Sequence, residues 1–166
     1  MKERIAGFLS EPSSESYQAL RQAVIGDPEY RPDSDAFERF AQCLEGQDVT
    51  TAQSLVPQLF PSFMLNPNTH AALAYLHRLQ GNDKGREFEH YFTYQLQQFL
   101  LAGGDGSRTR PYRVSCVDDE YFVIQALQAK VKGLTCQWVD GRLHDVIQTE
   151  EGSLYFDVHE VLAAYA

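Results

Sequence analysis

The spacing of apolar residues changes from a helical period to a strand period after the first hundred residues, and this change constrains the fold most. In the first part, apolar side chains recur at intervals of three and four, as in Phe37, Phe40, Ala41 and Leu44, which predicts amphipathic helices. From Tyr112 onward apolar and polar residues alternate, which predicts strands. We therefore expect an α+β protein, in which tetratricopeptide-like helical hairpins in the N-terminal two-thirds pack on a small, mainly antiparallel sheet in the C-terminal third.

The length of 166 residues predicts a single domain over residues 1–166. Within it we expect a helical, repeat-like part over residues 14–102 and a strand–helix–strand–strand–strand part over residues 110–166. Neither part is expected to close a hydrophobic core alone, which favours one core shared by both.

Two short turn sequences repeat in the helical part. LEGQD occupies Leu44–Asp48 and LQGND occupies Leu79–Asp83, an offset of 35 positions (79 − 44). Helix–turn–helix units with a period near 34 are typical of tetratricopeptide-like repeats. Two such units are fewer than the roughly three that are usually stable alone, so the C-terminal sheet is expected to cover their open apolar face.

Several local signals place the ends of these elements. Asn66-Pro67 predicts a helix N-cap followed by proline at the first helical position, and Pro57 predicts a kink or an early helix end. The alternation in residues 112–117 predicts the first strand. Asp140-Gly141 predicts a two-residue hairpin turn, and His159–Ala166 is expected to form a short closing helix.

Four short motifs together resemble a bacterial domain-of-unknown-function family. They are GDGS at Gly104–Ser107, PYRVSCVDDEY at Pro111–Tyr121, HDVI at His144–Ile147 and LYFDV at Leu154–Val158. In that family, tetratricopeptide-like helices lead into an SGDG turn, a strand, an EEY helix start and a closing LYF strand. The resemblance implies a fold over most of the chain, and it implies no catalytic residue.

Charge and cysteine content restrict the classes of partner and compartment. The formal net charge of −9 opposes binding to nucleic acid or to an anionic membrane, and it suits either a basic partner protein or simple solubility. The three cysteines form no C-x-x-C pair, so neither a disulfide framework nor a structural zinc site is predicted. We expect a cytoplasmic protein without a cofactor, present as a monomer or weak homodimer.

The loop Gly103–Arg110 allows two interpretations. Gly104, Ser107, Arg108 and Arg110 could surround an anion with amide, hydroxyl and guanidinium groups. A phosphate loop, however, follows a strand, precedes a helix and contains lysine, whereas this loop precedes a strand, lacks lysine and contains an acid, Asp105. The sequence therefore favours a helix-ending turn.

No motif in the sequence defines a reaction centre. Glu87–His90 contains a single Glu-x-x-His, and a di-iron bundle needs two together with further glutamates. Cys116 could act as a nucleophile if folding brought His144 or His159 close to it, but a cysteine on the apolar side of a strand is more often buried and inert. The acids Asp118–Glu120 suit a helix start. Neither catalytic nor metal-binding residues are predicted.

Aromatic residues of the second repeat-like unit suggest a binding surface. Tyr75, Tyr91 and Tyr94, together with Leu73 and His77, are candidate partner-binding residues on a concave helical face. The alternative is that these side chains pack in the core of wide amphipathic helices.

Three hypotheses about function follow. The first is a non-catalytic protein-binding module, such as an immunity or adaptor protein that binds a basic partner. The second is a small enzyme or ligand-binding protein with a site at the seam between helices and sheet, near Asp105–Glu120. The third is a structural domain that associates with itself.

Overall fold

A computed structural model describes residues 1–164 and confirms an α+β fold. The described residues form eight helices: α1 (Lys2–Ser10), α2 (Ser14–Ile25), α3 (Ala36–Glu45), α4 (Val49–Leu55), α5 (Pro67–Leu79), α6 (Asp83–Ala102), α7 (Asp118–Ala126) and α8 (His159–Ala163). They also form four strands: β1 (Tyr112–Arg113), β2 (Val131–Val139), β3 (Arg142–Thr149) and β4 (Ser153–Asp157). The order strand–helix–strand–strand–strand after residue 110 agrees with the sequence prediction.

Three element boundaries differ from the sequence expectations. Helix α1 precedes the helical part predicted from residue 14; it is held by Phe8, which is fully buried. Strand β1 stops at Arg113, because the backbone N–H of Ser115 turns to donate to the Asp119 carboxylate at 2.7 Å. The closing helix α8 ends at Ala163, and the last two residues of the predicted helix lie outside the described residues.

The remaining local signals are confirmed. The Asn66 side chain accepts from the backbone of Asn68 and Thr69, with Pro67 at the first helical position. Helix α4 ends before Pro57, in a 3-10 turn over Val56–Leu59. Asp140 and Gly141 both have positive φ, 51° and 80°, as a tight hairpin turn between β2 and β3 requires.

The two turns that repeat in the sequence have the same backbone geometry, but with an offset of 34 rather than 35. Gln47 and Gly81 (81 − 47) both lie in the left-handed region, at φ 55° and 69°. The residue after each, Asp48 or Asn82, caps the next helix by accepting a backbone hydrogen bond. Left-handed geometry at the end of a helix favours glycine. In the first turn, however, Gln47 occupies the left-handed position, and the glycine, Gly46, comes one residue before it.

The sheet has the order β1-β4-β3-β2, with β1 parallel to β4 and the other pairs antiparallel. Alternation along the strands places Ile147 and Phe156 on one face, in the core with α7. His144 and Asp157, which pair across β3 and β4, lie on the opposite face. We call these the helix face and the cleft face.

Within residues 1–164 the buried apolar residues form three clusters. One lies among α3, α4 and α5, a second among α1, α2 and α6, and a third between the sheet, α7 and α8. Cys116 belongs to the first cluster, whereas Leu100 of α6 belongs to the third. Each part of the chain therefore contributes side chains to the core of the other.

Candidate functional site

The two edges of the sheet differ in length and composition. One edge is β1, which has only two residues. The other is β2, which has nine residues and, within residues 1–164, pairs with β3 on one side only. Folded proteins usually keep edge strands short, charged or covered, because unpaired backbone N–H and C=O groups invite another strand. A nine-residue edge, about 30 Å long, is therefore a candidate interaction site.

Most side chains of β2 are exposed although several are apolar, and Val139 at the end of the strand is buried. The exposed fractions are 59% for Leu134 and 68% for Trp138. The six residues Leu134–Val139 include no charged side chain. A register irregularity between Val131 and Gly133, next to Lys132, disturbs only the start of the strand. We call Leu134–Val139 the open edge.

The helix face behind the open edge contains two neighbouring carboxyl groups, one of which, that of Glu120, is buried. Cys136 of β2 is opposite Asp145 of β3, and Glu120 of α7 is hydrogen-bonded to Asp145. Burial first, and Asp145 second, raise the pKa of Glu120 to about 9. Partial desolvation of the thiol and the same Asp145 raise the pKa of Cys136 to about 11. At neutral pH Glu120 is therefore protonated and Cys136 is a thiol, not a reactive thiolate.

At one end of the open edge, Trp138 is fixed in position. Its ring packs edge-on against the ring of His159 at the start of α8, with 5.7 Å between centroids. The indole is thus oriented on one side and exposed over most of its surface. A large aromatic side chain held in this way is the type of residue that anchors protein interfaces.

A second candidate site is a cleft of about 730 Å³ on the cleft face of the sheet. Of the described residues, five arginines line it, namely Arg21, Arg108, Arg110, Arg113 and Arg142. Three acids, Asp140, Asp157 and Glu160, also line it. The cleft is thus enriched in positive charge, although the whole chain has a net charge of −9.

The floor of the cleft is a network of paired charges. Arg142 donates to Asp157 at 2.7 and 3.2 Å, and Arg21 donates to Glu160 at 2.6 Å. Arg21 is buried and also donates two hydrogen bonds to the carbonyl of Val114. Burial alone would raise the pKa of Glu160, but its contacts with Arg21 lower it, so this carboxylate stays ionised.

The loop Gly103–Arg110 uses its own polar groups to hold its shape. The backbone N–H of Asp105 donates to the carbonyl of Arg110, and that of Ser107 donates to the Asp105 carboxylate. The Ser107 hydroxyl accepts from the N–H of Arg110. Gly104 is buried where an added Cβ would lie 2.5 Å from the carbonyl oxygen of Pro111. These amides therefore form a turn, while Arg108 and Arg110 line the cleft.

The five residues predicted to bind a partner do not share one surface. Leu73 is buried in the cluster among α3, α4 and α5. Tyr75 lies beneath the guanidinium of Arg78, and His77 contacts the cap residue Asn82. Tyr91 and Tyr94 are exposed on α6, where Tyr91 donates to the carbonyl of Leu9. The two exposed tyrosines thus lie apart from the buried Leu73.

The cysteine and acid motifs have structural roles in the described residues. Cys116 is buried, and its pKa is raised well above the usual value by burial and by Asp119. Asp119 is fully buried and accepts from Ser115 and Asn66. His144 contacts the carbonyl of Arg142, not Cys116. Within residues 1–164, no group of three His, Cys, Asp or Glu residues is arranged to hold a metal ion.

Sequence reasoning missed the open edge and identified only part of the cleft, namely Arg108 and Arg110 of the candidate anion loop. The open edge has a sequence signal, since Leu134–Val139 is uncharged and rich in residues typical of strands, but the sequence does not indicate which strand forms an edge. The arginines of the cleft are spread from Arg21 to Arg142, so only folding brings them together.

Comparisons with known proteins find no similarity: no family model, no curated protein and no solved structure matches the chain. Among the helices formed by residues 1–164, none has both the length and the apolar composition needed to cross a membrane.

Proposed function

We propose that the protein is a non-catalytic protein-binding module that accepts an extended segment of a basic partner protein along the open edge. The observation that supports this most is the combination of a nine-residue unpaired strand edge with six consecutive uncharged residues, Leu134–Val139. Left uncovered, such an edge promotes aggregation. A partner strand would satisfy its backbone groups and cover its apolar side chains.

Strand addition supplies affinity from two sources. Main-chain hydrogen bonds along β2 hold the partner segment, and alternate side-chain positions select its sequence. Leu134 and Trp138 lie on the same face of β2 and are both exposed. Fully burying a side chain such as leucine contributes about 1.5–3 kcal/mol. These two side chains are therefore the expected anchors.

The net charge of the chain, −9, favours a basic partner. A second copy of this chain would bring the same net charge of −9 to the contact, and like net charges repel. A small acidic binder of this kind suits a cytoplasmic adaptor, or an immunity protein that neutralises a basic toxin.

The test is affinity capture followed by measurement with the purified partner. The wild type is compared with a Leu134→Ser/Trp138→Ser variant and with a Tyr94→Ser control. Tyr94 has an exposed fraction of 56% and lies on α6, so the control removes an exposed aromatic ring away from the sheet. All three proteins should fold, because the substituted side chains are largely exposed.

The proposal predicts a basic protein that binds the wild type and the Tyr94→Ser control equally. Binding to the double variant should be at least about tenfold weaker, and affinity should fall as salt is added. A partner that binds the double variant normally contradicts the proposed site. Capture of only a second copy of the chain contradicts the proposed partner and supports self-association instead.

A further inference from the structure

The arginine-lined cleft has the features of a ligand site that the proposed protein-binding function does not use. It lies on the cleft face, formed by Arg113, Val139, Arg142, His144 and Asp157, whereas Leu134 and Trp138 lie on the helix face by strand alternation. Its volume of about 730 Å³ is in the range of sites for small organic molecules. We propose that this cleft binds a phosphorylated polyol, such as a sugar phosphate.

The charges in the cleft are arranged in two layers. In the floor, Arg21 and Arg142 are matched by Asp157 and Glu160 at distances of 2.6–3.8 Å. The floor is therefore close to neutral and holds its own side chains in place. At the rim, Arg108, Arg110 and Arg113 outnumber two carboxylates, that of Asp140 in the lining and that of Asp105 beside Arg110. The excess positive charge thus lies at the entrance, where an anion would bind.

The rim arginines are available to a ligand. The side chain of Arg113 is exposed and has no hydrogen-bond or ion-pair partner within residues 1–164. Arg108 and Arg110 have weak pairs only, each 3.5 Å from a carboxylate, with side chains more than half exposed. Ion pairs of this kind contribute little stability, so exchanging them for an incoming anion costs little.

The number of rim arginines favours a phosphate monoester over a carboxylate. A phosphoryl group presents three terminal oxygens and a charge near −2, whereas a carboxylate presents two oxygens and a charge of −1. Planar guanidinium groups bind phosphate oxygens in forked pairs. The proposed mode of binding is that the rim arginines share the oxygens of one phosphoryl group.

The acids of the cleft suit hydroxyl groups on the rest of the ligand. Asp140 is 80% exposed at its side chain and has a single 3.5 Å contact with Arg108. An ionised carboxylate only accepts hydrogen bonds, and the hydroxyl groups of a polyol can donate to it. A simple phosphate ion would leave Asp140 unused and close to the bound negative charge.

Isothermal titration calorimetry with ribose 5-phosphate, inorganic phosphate and ribose tests the proposal. Arg113→Gln removes an unpaired rim charge, and Arg4→Gln in α1 is the matched control, since Arg4 is exposed and outside the cleft. Arg108→Gln is a second rim variant, measured alongside the first, and it keeps the test open if Arg113→Gln fails to fold. Circular dichroism and melting temperature establish that each variant is folded.

The expected result is that ribose 5-phosphate binds the wild type and Arg4→Gln equally, and binds a rim variant at least about tenfold more weakly. Ribose 5-phosphate should also bind at least about tenfold more tightly than inorganic phosphate, and ribose should not bind at matched concentrations. No binding of ribose 5-phosphate at about 10 mM overturns the proposal. Equal affinities for ribose 5-phosphate and phosphate, or unchanged binding by both rim variants, also overturn it.

Discussion

The side-chain amide of Asn66 donates a 2.9 Å hydrogen bond to the buried carboxylate of Asp119. The side-chain oxygen of Asn66 caps α5 by accepting hydrogen bonds from the backbone N–H groups of Asn68 and Thr69. Asp119 in turn accepts two 2.7 Å hydrogen bonds from Ser115, which lies just before α7. One asparagine therefore joins the helical part of the chain to the part that contains the sheet.

This double role predicts that Asn66→Ala is more destabilising than an ordinary loss of a helix cap. Removing an N-cap costs about 1 kcal/mol, and a buried hydrogen bond to a charged group contributes about 1.5–3 kcal/mol more. Urea denaturation should show a loss of about 2–4 kcal/mol for Asn66→Ala. Asn82→Ala, which removes the exposed cap of α6, is the matched control, with an expected loss of about 1 kcal/mol. Equal losses would show that the bond to Asp119 contributes nothing.

The turns at Gly46 and Gly81 are predicted to respond differently when glycine is replaced by alanine. Gly81 has φ 69°, and no atom lies within 4 Å of an added Cβ, so Gly81→Ala should cost about 1–2 kcal/mol through backbone strain alone. Gly46 has φ −75° and only ordinary contacts at 3.5 Å or more, so Gly46→Ala should be neutral or slightly stabilising. Thermal unfolding should show a lower melting temperature for the first variant only.

The adjacent left-handed residue gives a complementary prediction. Gln47 occupies the position that corresponds to Gly81, at φ 55°. Gln47→Gly should therefore raise the free energy of unfolding by up to about 1 kcal/mol, because glycine adopts this conformation without steric cost. A melting temperature lower than that of the wild type would contradict the equivalence of the two turns.

The raised pKa of Glu120 predicts a stability that falls as pH rises. Burial and Asp145 raise the pKa to about 9 in the folded state, from 4.5. Between these values the folded state keeps a proton that the unfolded state has released, so the free energy of unfolding decreases with increasing pH. Glu120→Gln keeps a neutral side chain at every pH. It should flatten this dependence and add at least about 1 kcal/mol at pH 8.

The measurement is urea denaturation at several pH values from 5 to 9. This range lies between the ordinary pKa of Glu120, 4.5, and its raised value of about 9. Glu87→Gln on the exposed surface of α6 is the control, and its curve should be parallel to that of the wild type. Glu120 shares its surroundings with Asp119, Asp145 and Cys136, so some pH dependence remains in every variant. Parallel curves for Glu120→Gln and the wild type would place the proton elsewhere.

Local features of the sequence predict much of the fold because they act over a few residues. The Asn66-Pro67 helix start, the Asp140-Gly141 turn and the order of the C-terminal elements are all visible in short segments. Helix α1 is different, because it depends on packing between Phe8 and rings distant in sequence, Phe92 and Phe99. No local pattern contains that information.

The candidate sites depend on long-range placement and are therefore poorly visible in the sequence. The open edge exists because β2 comes last in the sheet order, which hydrophobic periodicity does not specify. The cleft exists because α2, the loop after α6 and all four strands meet around Arg21, Arg113 and Arg142. Tyr75 and Tyr91 show the same dependence on long-range placement. Tyr75 of α5 lies beneath Arg78, whereas Tyr91 of α6 donates a hydrogen bond to the carbonyl of Leu9.

The central claim, that a partner strand pairs with the open edge, is tested most directly by hydrogen–deuterium exchange of the protein with and without its purified partner. The account predicts slower exchange of backbone amides in Leu134–Val139, the unpaired edge of the sheet, and little change in α6, where Tyr91 and Tyr94 are exposed. Protection of α6 without any change in Leu134–Val139 would contradict the account. It would place the partner on the surface of α6 instead.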